Sequence, residues 1–383
     1  MSVATKRRFL LALPGAFGPT GGIESYNRLL VKAFHEIAVE VGGACETLLL
    51  LDDGEHPDDR YLDPGQPRPR GFGGSRPRFI GATLARIARF KPDLLVFGHI
   101  NFGALALASR ALAPLTPQWF IVHGVEVWRR MKLPSRLAVL AANRTLAVSD
   151  YTRRELVRHN GIDRARVDLL PCALDPFWAE SFGPLSDATP PAIDLMRPLI
   201  ITVARLSSEE RHKGIDQILH ALPAVARVIP GVRYAIVGGG DDRARLEALA
   251  REVGVASRVE FRGRVTPADL AQTYGEGSLF AMPSSQEGFG IVFLEAGLFH
   301  KASIGGDHGG TPEVIVDGET GRLVDHDDVP ALAATITALL TDPESLRAMG
   351  ESARRRVEER FTYTTFLRTL RVQVEDARGR SAT

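Results

Sequence analysis

Two glutamates eight positions apart, Glu287 and Glu295, bracket the richest stretch of this chain, P-S-S-Q-E-G-F-G-I-V-F-L-E-A-G over residues 283–297. Between them, Gly288-Phe289-Gly290 supplies a turn whose glycines let a ligand approach the backbone and whose N–H groups open a helix. A helix starting near Gly290 carries Glu295 about a turn and a half inside it. Both carboxylates then border one pocket, ready to accept hydrogen bonds from hydroxyl groups. The same letters also fit an amphipathic helix preceded by an ordinary loop glutamate. A second set is cationic: Arg205 in Ala204-Arg205-Leu206 and, eight positions on, Lys213 in His212-Lys213-Gly214. A planar guanidinium fork and a mobile ammonium suit a diphosphate, whereas either alone reads as a solvated surface charge. The third candidate is His123, which follows a strand and precedes Gly124-Val125-Glu126. In open α/β sheets, functional groups gather at such carboxyl strand ends.

The elements that must position these groups alternate in character. An apolar strand over residues 9–13 enters a glycine-rich loop, 15–22, and then a helix over 23–39. Strand, glycine loop and helix open a doubly wound domain. No Gly-Lys-Ser/Thr closes the loop, so it is not a P-loop. Further strands are expected at 45–51, 93–99, 118–122, 145–148 and 167–171, with a capped helix beginning at Ser149. Residues 176–198 hold five prolines and no periodicity, and read as a linker. A second α/β half then begins with strands at 199–203, 234–237, 259–265, 278–282 and 302–304, and the tail from Pro343 is charged and helical. Gly238-Gly239-Gly240 lacks the third glycine of a dinucleotide fingerprint, since Arg243 stands there. Asp325-His326-Asp327 matches a metal motif in letters only and falls in an expected surface loop.

Length and composition agree with two soluble domains. The 383 residues exceed one ordinary core, and hydrophobic (44%) and charged (24%) fractions are those of a globular protein. Two distant cysteines fit a reducing compartment and imply no disulfide framework or zinc site. The net charge of +1 is uneven: residues 1–175 hold 24 Lys/Arg against 17 Asp/Glu, and residues 176–383 hold 23 against 29. A basic first half suggests an anionic partner, phosphate or a membrane surface. Residues 64–92 hold seven Lys/Arg and no acid, and 79–90 are helically amphipathic. Either a surface helix packing on the sheet or a segment lying on an anionic membrane fits. The N-terminal K-R-R-F-L-L-A-L-P imitates a signal peptide, but Pro14 breaks the apolar core early, and a buried first strand is expected.

With Glu287-Gly288-Phe289-Gly290 in front and Glu295-Ala296-Gly297 behind, the chain resembles the retaining glycosyltransferases of family 4. Gly21-Gly22, His123-Gly124, Arg205, Lys213, the Glu287/Glu295 block and Gly309-Gly310 arrive in that family's order. The resemblance implies the GT-B architecture, an α/β fold of two Rossmann-like doubly wound domains facing across a cleft. Residues 1–175 would form an acceptor-binding domain, 199–360 a nucleotide-sugar domain, and a return helix from about residue 361 would cross back. It also implies roles. Arg205 and Lys213 clamp the leaving diphosphate, Glu287 binds hydroxyls of the transferred sugar, and His123 contacts that sugar. Glu295 takes the ribose hydroxyls, while the amides of Gly288, Phe289 and Gly290 position the sugar. Backbone around Arg264 and Val265, with Gly238 and Gly239, holds the nucleotide. Gly21 and Gly22 let phosphate and acceptor approach. One departure stands out: Pro171-Cys172-Ala173-Leu174-Asp175 replaces the family's Pro-Asn-Gly-Val-Asp, which puts that turn in question.

The implied activity is retaining transfer of a hexosyl group from a UDP- or GDP-sugar to an acceptor hydroxyl, without metal or cofactor. The acceptor would be a saccharide, lipid-linked or phosphorylated, in envelope or exopolysaccharide synthesis. The location would be cytoplasmic, peripheral at the inner membrane face, and nucleic acid is not a partner. An epimerase or phosphorylase on the same architecture, or a non-catalytic nucleotide-sugar-binding protein, is the alternative, because fold alone does not decide among them.

Overall fold

A computed structural model of the chain describes residues 6–18, 21–53, 57–178, 194 and 196–379. It divides into two compact units, one gathering Met1–Asp175 with Tyr363–Thr383, the other Pro176–Thr362. Most of the proline-rich stretch 176–198 lies outside the described residues.

The first unit runs β1 (Arg8–Leu13), α1 (Gly22–Glu40), β2 (Ala44–Leu49), β3 (Arg70–Gly71), α2 (Arg76–Phe90), β4 (Leu94–Phe97), α3 (Gly103–Leu112), β5 (Gln118–Val122), α4 (Leu133–Ala141), β6 (Arg144–Ala147), α5 (Asp150–Asn160) and β7 (Val167–Leu169). All neighbouring strands are parallel, in the order β3-β2-β1-β4-β5-β6-β7. The central strands are buried on both faces, which is why they read as unbroken apolar runs. Helices α2, α3, α4 and α5 lend Phe79, Ile87, Leu105, Val139 and Leu156 to a single core with residues of β1, β4 and β5. So the segment 79–90 does pack on the sheet, with Phe79, Thr83 and Ile87 inward. Ser149 caps α5 by accepting the Thr152 N–H, and Gly161 ends it at φ 68°.

The second unit runs β8 (Leu199–Val203), α6 (Ile215–Val228), β9 (Arg233–Val237), α7 (Arg243–Glu252), β10 (Val259–Gly263), α8 (Pro267–Glu276), β11 (Leu279–Met282), α9 (Ile291–Leu298), β12 (Ser303–Gly306), α10 (Thr311–Val314), β13 (Gly321–Val324), α11 (Val329–Thr341) and α12 (Pro343–Arg360). Its parallel order is β10-β9-β8-β11-β12-β13. The edge strand β13 is not foreseen from the letters Gly321-Arg322-Leu323-Val324, which fill neither a fully apolar run nor an alternation. The last helix, α13 (Tyr363–Gly379), belongs to the first unit. Leu370 and Phe366 are buried there, and Arg7 and Arg144 donate to the Val374 and Gln373 carbonyls. Among the described residues no helix is long and apolar enough to cross a membrane.

Strand order reverses once in each sheet, between β1 and β4 in the first unit and between β8 and β11 in the second. Loops leaving the carboxyl ends of those strands part there, opening the crevice in which such sheets take their ligands.

His35, on α1, is 1% exposed; its Nδ1 accepts the Asp63 N–H and its Nε2 has no partner among the described residues. Burial lowers its pKa from 6.5 to about 4, against a smaller upward pull from Asp63. The unfolded chain therefore binds a proton that the fold refuses, and stability falls as pH drops from about 6.5 towards 4, by about 3 kcal/mol. Urea midpoints across this range should show that loss in the wild type, and His35→Gln should lack it.

Candidate functional site

In the second unit the loops after β8, β9, β11 and β12 are stitched together by backbone. Beyond β8, Ala204 N–H donates to Val237 O (3.0 Å) and Leu206 N–H to Gly239 O (3.1 Å). A Cβ on Gly238, at φ 136°, would stand 1.8 Å from Ala204 O, and one on Gly240 would stand 1.9 Å from Leu206 O. The glycine triplet thus lets two loops touch, whatever else it does. Lys213 closes a single 3-10 turn, Arg211–Lys213, followed by Gly214 at φ 83°. The missing side chain of Gly214 makes room for Pro283 O, and Ser285 N–H donates to His212 O (2.9 Å).

This stitching brings Lys213 and Glu287 together at the switch point between β8 and β11. Lys213 Nζ donates to Glu287 Oε2 at 2.6 Å, with side chains only 20% and 13% exposed. Arg205 does not join them: two-thirds exposed, it pairs with Glu210. The two cations, read together as one clamp, are each engaged with a different carboxylate. They still line a common depression with Glu210, Arg211, Asp216 and Asp242.

The Gly288-Phe289-Gly290 turn is held from below. Gly310 N–H donates to Glu287 O (2.7 Å), and neither Gly309 (φ 73°) nor Gly310 leaves room for a Cβ against the carbonyls of residues 287 and 288. Phe289 is buried with its ring edge-on to Phe361, 5.6 Å between centroids, so only its backbone faces the turn. Gly290 takes the left-handed conformation, φ 95°, and α9 starts at Ile291, one residue later than the expected onset near Gly290. Glu295 lies in the second turn of α9, where Tyr274 Oη donates to its Oε2 at 2.9 Å. Tyr274 is fully buried and stacks on Phe299 (5.3 Å, 16°). Burial, and then the Glu295 charge, push the phenol well above its ordinary value, so Tyr274 keeps its proton and donates permanently. Arg264, just past β10, is exposed, with its side chain against Gly239, and Val265 follows half-buried. His326, in the Asp325-His326-Asp327 loop, bonds Pro283 O through Nδ1 (2.7 Å) and Gln217 through Nε2 (2.8 Å). Among the described residues no three His, Cys, Asp or Glu are grouped to hold a metal.

In the first unit, the loop after β1 is fastened by Asp52. Its carboxylate, buried at the end of β2, accepts the Ala16 and Phe17 N–H groups (3.2 and 2.8 Å). Asn27 Nδ2 donates to Gly15 O at 2.7 Å. Gly21 immediately precedes α1 and Gly22 is its first residue, with no side-chain cap on the leading amides. At the end of β5, the His123 N–H donates to Glu126 Oε1 (2.5 Å) and its Nε2 bonds Gly98 O (2.9 Å). Because that carbonyl only accepts, Nε2 carries a proton, which in the neutral ring leaves Nδ1 as the acceptor. The His123 ring stands edge-on to Tyr26 (5.3 Å) and parallel to His99 (6.1 Å, 19°).

His99 follows β4, at the switch point itself, and its Nδ1 accepts the Asn101 N–H. Burial lowers its pKa, opposed by Glu126 and assisted by His123. The sequence reading passed over His99 and Tyr274. Position just past a strand on the far side of the switch point marks His99; nothing in the letters marks Tyr274, whose partner is 21 positions away.

Comparison with known proteins bears on both units. Residues 20–177 match Glycosyltransferase Family 4, and residues 187–356 match Glycosyl transferases group 1. The GDP-mannose-dependent alpha-(1-6)-phosphatidylinositol monomannoside mannosyltransferases of Mycolicibacterium smegmatis and Mycobacterium tuberculosis are each 33% identical to this chain. The first aligns over 247 residues, 61% of this chain and 63% of that one; the second over 277 residues, 68% of each. The sucrose-phosphate synthase structure from Thermosynechococcus elongatus superposes with a TM-score of 0.77 at 22% identity, covering 97% of this chain and 99% of that one. That likeness concerns the fold.

Tyr274→Phe removes the hydroxyl that donates to the Glu295 carboxylate beside a buried ring. The expected cost is about 1–3 kcal/mol, read as a lower urea midpoint; an unchanged midpoint would show that the contact contributes nothing.

Proposed function

Since the chain belongs to glycosyltransferase family 4, within the glycosyl transferases group 1, we propose that it moves a hexosyl group from a nucleoside diphosphate sugar to an acceptor hydroxyl with retention of configuration. The observation that carries this reading is the Lys213–Glu287 pair, held at the switch point by backbone stitching. A cation and a hydroxyl acceptor are kept there in contact, mostly out of water. In the proposed reaction the donor diphosphate takes over Lys213 from Glu287, and Arg205 swings from Glu210 to the same phosphates. Glu287, released, accepts hydroxyls of the transferred sugar, while the amides of residues 288–290 fix its position. Glu295, which accepts from Tyr274, takes the ribose hydroxyls. Backbone near Gly238, Gly239, Arg264 and Val265 surrounds the nucleotide base.

Chemistry then requires stabilisation of the departing charge above all. The acceptor oxygen forms a bond to the anomeric carbon on the face the phosphate leaves. As the carbon–phosphate-oxygen bond breaks, the acceptor proton passes to the leaving phosphate. Lys213 and Arg205 supply the countercharge, so the reaction proceeds without a divalent metal. On the first unit, His123 and the loop before Gly21 and Gly22 serve the acceptor side. The activity of the mycobacterial relatives makes GDP-mannose the first donor to offer and a phosphoinositol glycolipid the first acceptor. A phosphorylated sugar is the second acceptor, suited to the same basic half of the chain.

The test supplies GDP-mannose, UDP-glucose and ADP-glucose in turn, with each acceptor, in EDTA, and reads the anomeric configuration of the product by NMR. The expected product is the α-linked mannoside, formed equally well in EDTA. An inverted product would overturn retention, dependence on a divalent metal would overturn the two-cation account, and donor conversion without acceptor would point to an epimerase. Arg205→Ala should lower kcat by about 10²–10³-fold. Stability should stay within about 0.5 kcal/mol of wild type, as befits an exposed side chain; near-normal turnover would remove Arg205 from the reaction.

A further inference from the structure

Asp325-His326-Asp327 reads as a metal motif in its letters, and the sugar transfer proposed above leaves it without a role. The geometry of the histidine gives it a different task. Both ring nitrogens are engaged within the protein: Nδ1 meets Pro283 O at 2.7 Å, and Nε2 meets Gln217 Nε2 at 2.8 Å. A carbonyl only accepts, so Nδ1 carries the proton, and Nε2 of the neutral ring accepts from the Gln217 amide. Neither nitrogen is then free to ligate a metal. Gln217 meets only part of its own bonding capacity in this arrangement, since its Oε1 is buried with no partner among the described residues.

What the ring holds is the carbonyl that opens the glycine–glutamate block. Pro283 is buried, and among the described residues His326 is the one donor that meets its oxygen. The same oxygen lies against Gly214, where an added Cβ would stand 2.5 Å away. Lys213 immediately precedes that glycine, and Glu287 is four positions beyond Pro283. Between them, Ser285 N–H is bonded to His212 O. A buried carbonyl stripped of its donor turns to find another, and this one cannot turn without moving the Lys213 turn and the Glu287 loop. Gln217 adds a second hold from the first turn of α6, the helix that follows Gly214. The loop bearing His326 is braced in turn. Asp325 Oδ1 accepts the Asp327 N–H, and Asp328 Oδ1 accepts the Ala331 N–H at the start of α11, each at 2.9 Å. The Asp307 N–H, just past β12, holds Val324 O at 3.0 Å.

We propose that His326 is a positioning residue of the diphosphate site. Its ring, fixed in one tautomer by Gln217, holds Pro283 O and through it the spacing of Lys213 and Glu287. It acts on that pair through the backbone and bonds neither member. The inference rests on the donor-site reading above and goes beyond it, because it makes the loop after the edge strand β13 part of the frame of the site.

The test titrates GDP and UDP by calorimetry into the full chain, in EDTA and without acceptor, and reads urea midpoints alongside. His326→Leu removes both ring contacts and should weaken binding of the tighter nucleotide about tenfold. His326→Asn keeps an N–H at the same remove from Cβ as Nδ1, and should bind within about twofold of wild type. Gln217→Ala, which frees the ring, should fall between the two, and it serves in place of His326→Leu should that variant unfold. Ile336→Val thins the core under α11. It should lower the midpoint and leave affinity as in wild type, which separates positioning from stability. Unchanged affinity in His326→Leu, equal losses in His326→Leu and His326→Asn, or a matching loss in Ile336→Val would overturn the positioning role and leave the donor site standing. Failure of the wild type to bind either nucleotide would overturn the donor site itself, and the positioning role with it.

Discussion

The second unit turns on one ion pair. Lys213 and Glu287 lie 74 positions apart in sequence, on loops after two different strands, yet meet at 2.6 Å with little of either side chain in water. Removing charges from water costs more than a surface contact returns, and a partner left alone there costs more still. Such a pair persists only where the backbone leaves it little freedom. Here Ser285 N–H on His212 O, Gly214 beneath Pro283 O and Gly310 N–H on Glu287 O fix both ends. The pair stores charge at the point where a parallel sheet opens, and a dianionic ligand can exchange one partner for itself.

The same building method recurs in the first unit with different chemistry. Asp52 holds the loop after β1 as the glycines hold the loops of the second unit, by taking its amides. The end of β5 then presents His123 in one tautomer, set by the Gly98 carbonyl and walled by Tyr26 and His99. In both units the groups with chemistry sit beside the reversal of strand order, on loops whose backbone is already satisfied. Rigid supports of this kind spare a ligand the cost of ordering the site.

Much of this was legible in the letters. Strands Gln118–Val122 and Leu199–Val203 read to the residue, because runs buried on both faces are bounded by polar or proline breaks. The glycine–glutamate block, the histidine after β5 and the cation spacing were readable as candidates because each follows a strand end. Contacts between distant segments were not readable. Nothing in Lys213 or Glu287 announces their pairing, and Arg205 sits with Glu210 because that residue is on its own loop. Gly238 to Gly240 look like a ligand loop, and the structure adds a steric reason for two of them: the chain after β8 passes too close for a side chain. β13 escaped because a four-residue edge strand with Arg322 outward has no periodicity to read.

If Lys213 is the diphosphate cation and Glu287 its resting partner, the two compete, and the competition is measurable. Calorimetric titration of GDP and UDP, in EDTA, into the wild type and into Glu287→Gln tests it with no acceptor and no turnover. Neutralising Glu287 frees the lysine and removes a like charge from the incoming phosphates. The account predicts several-fold tighter diphosphate binding by Glu287→Gln, lost again when Lys213→Ala is added. Equal or weaker binding by Glu287→Gln would contradict it and place the diphosphate elsewhere.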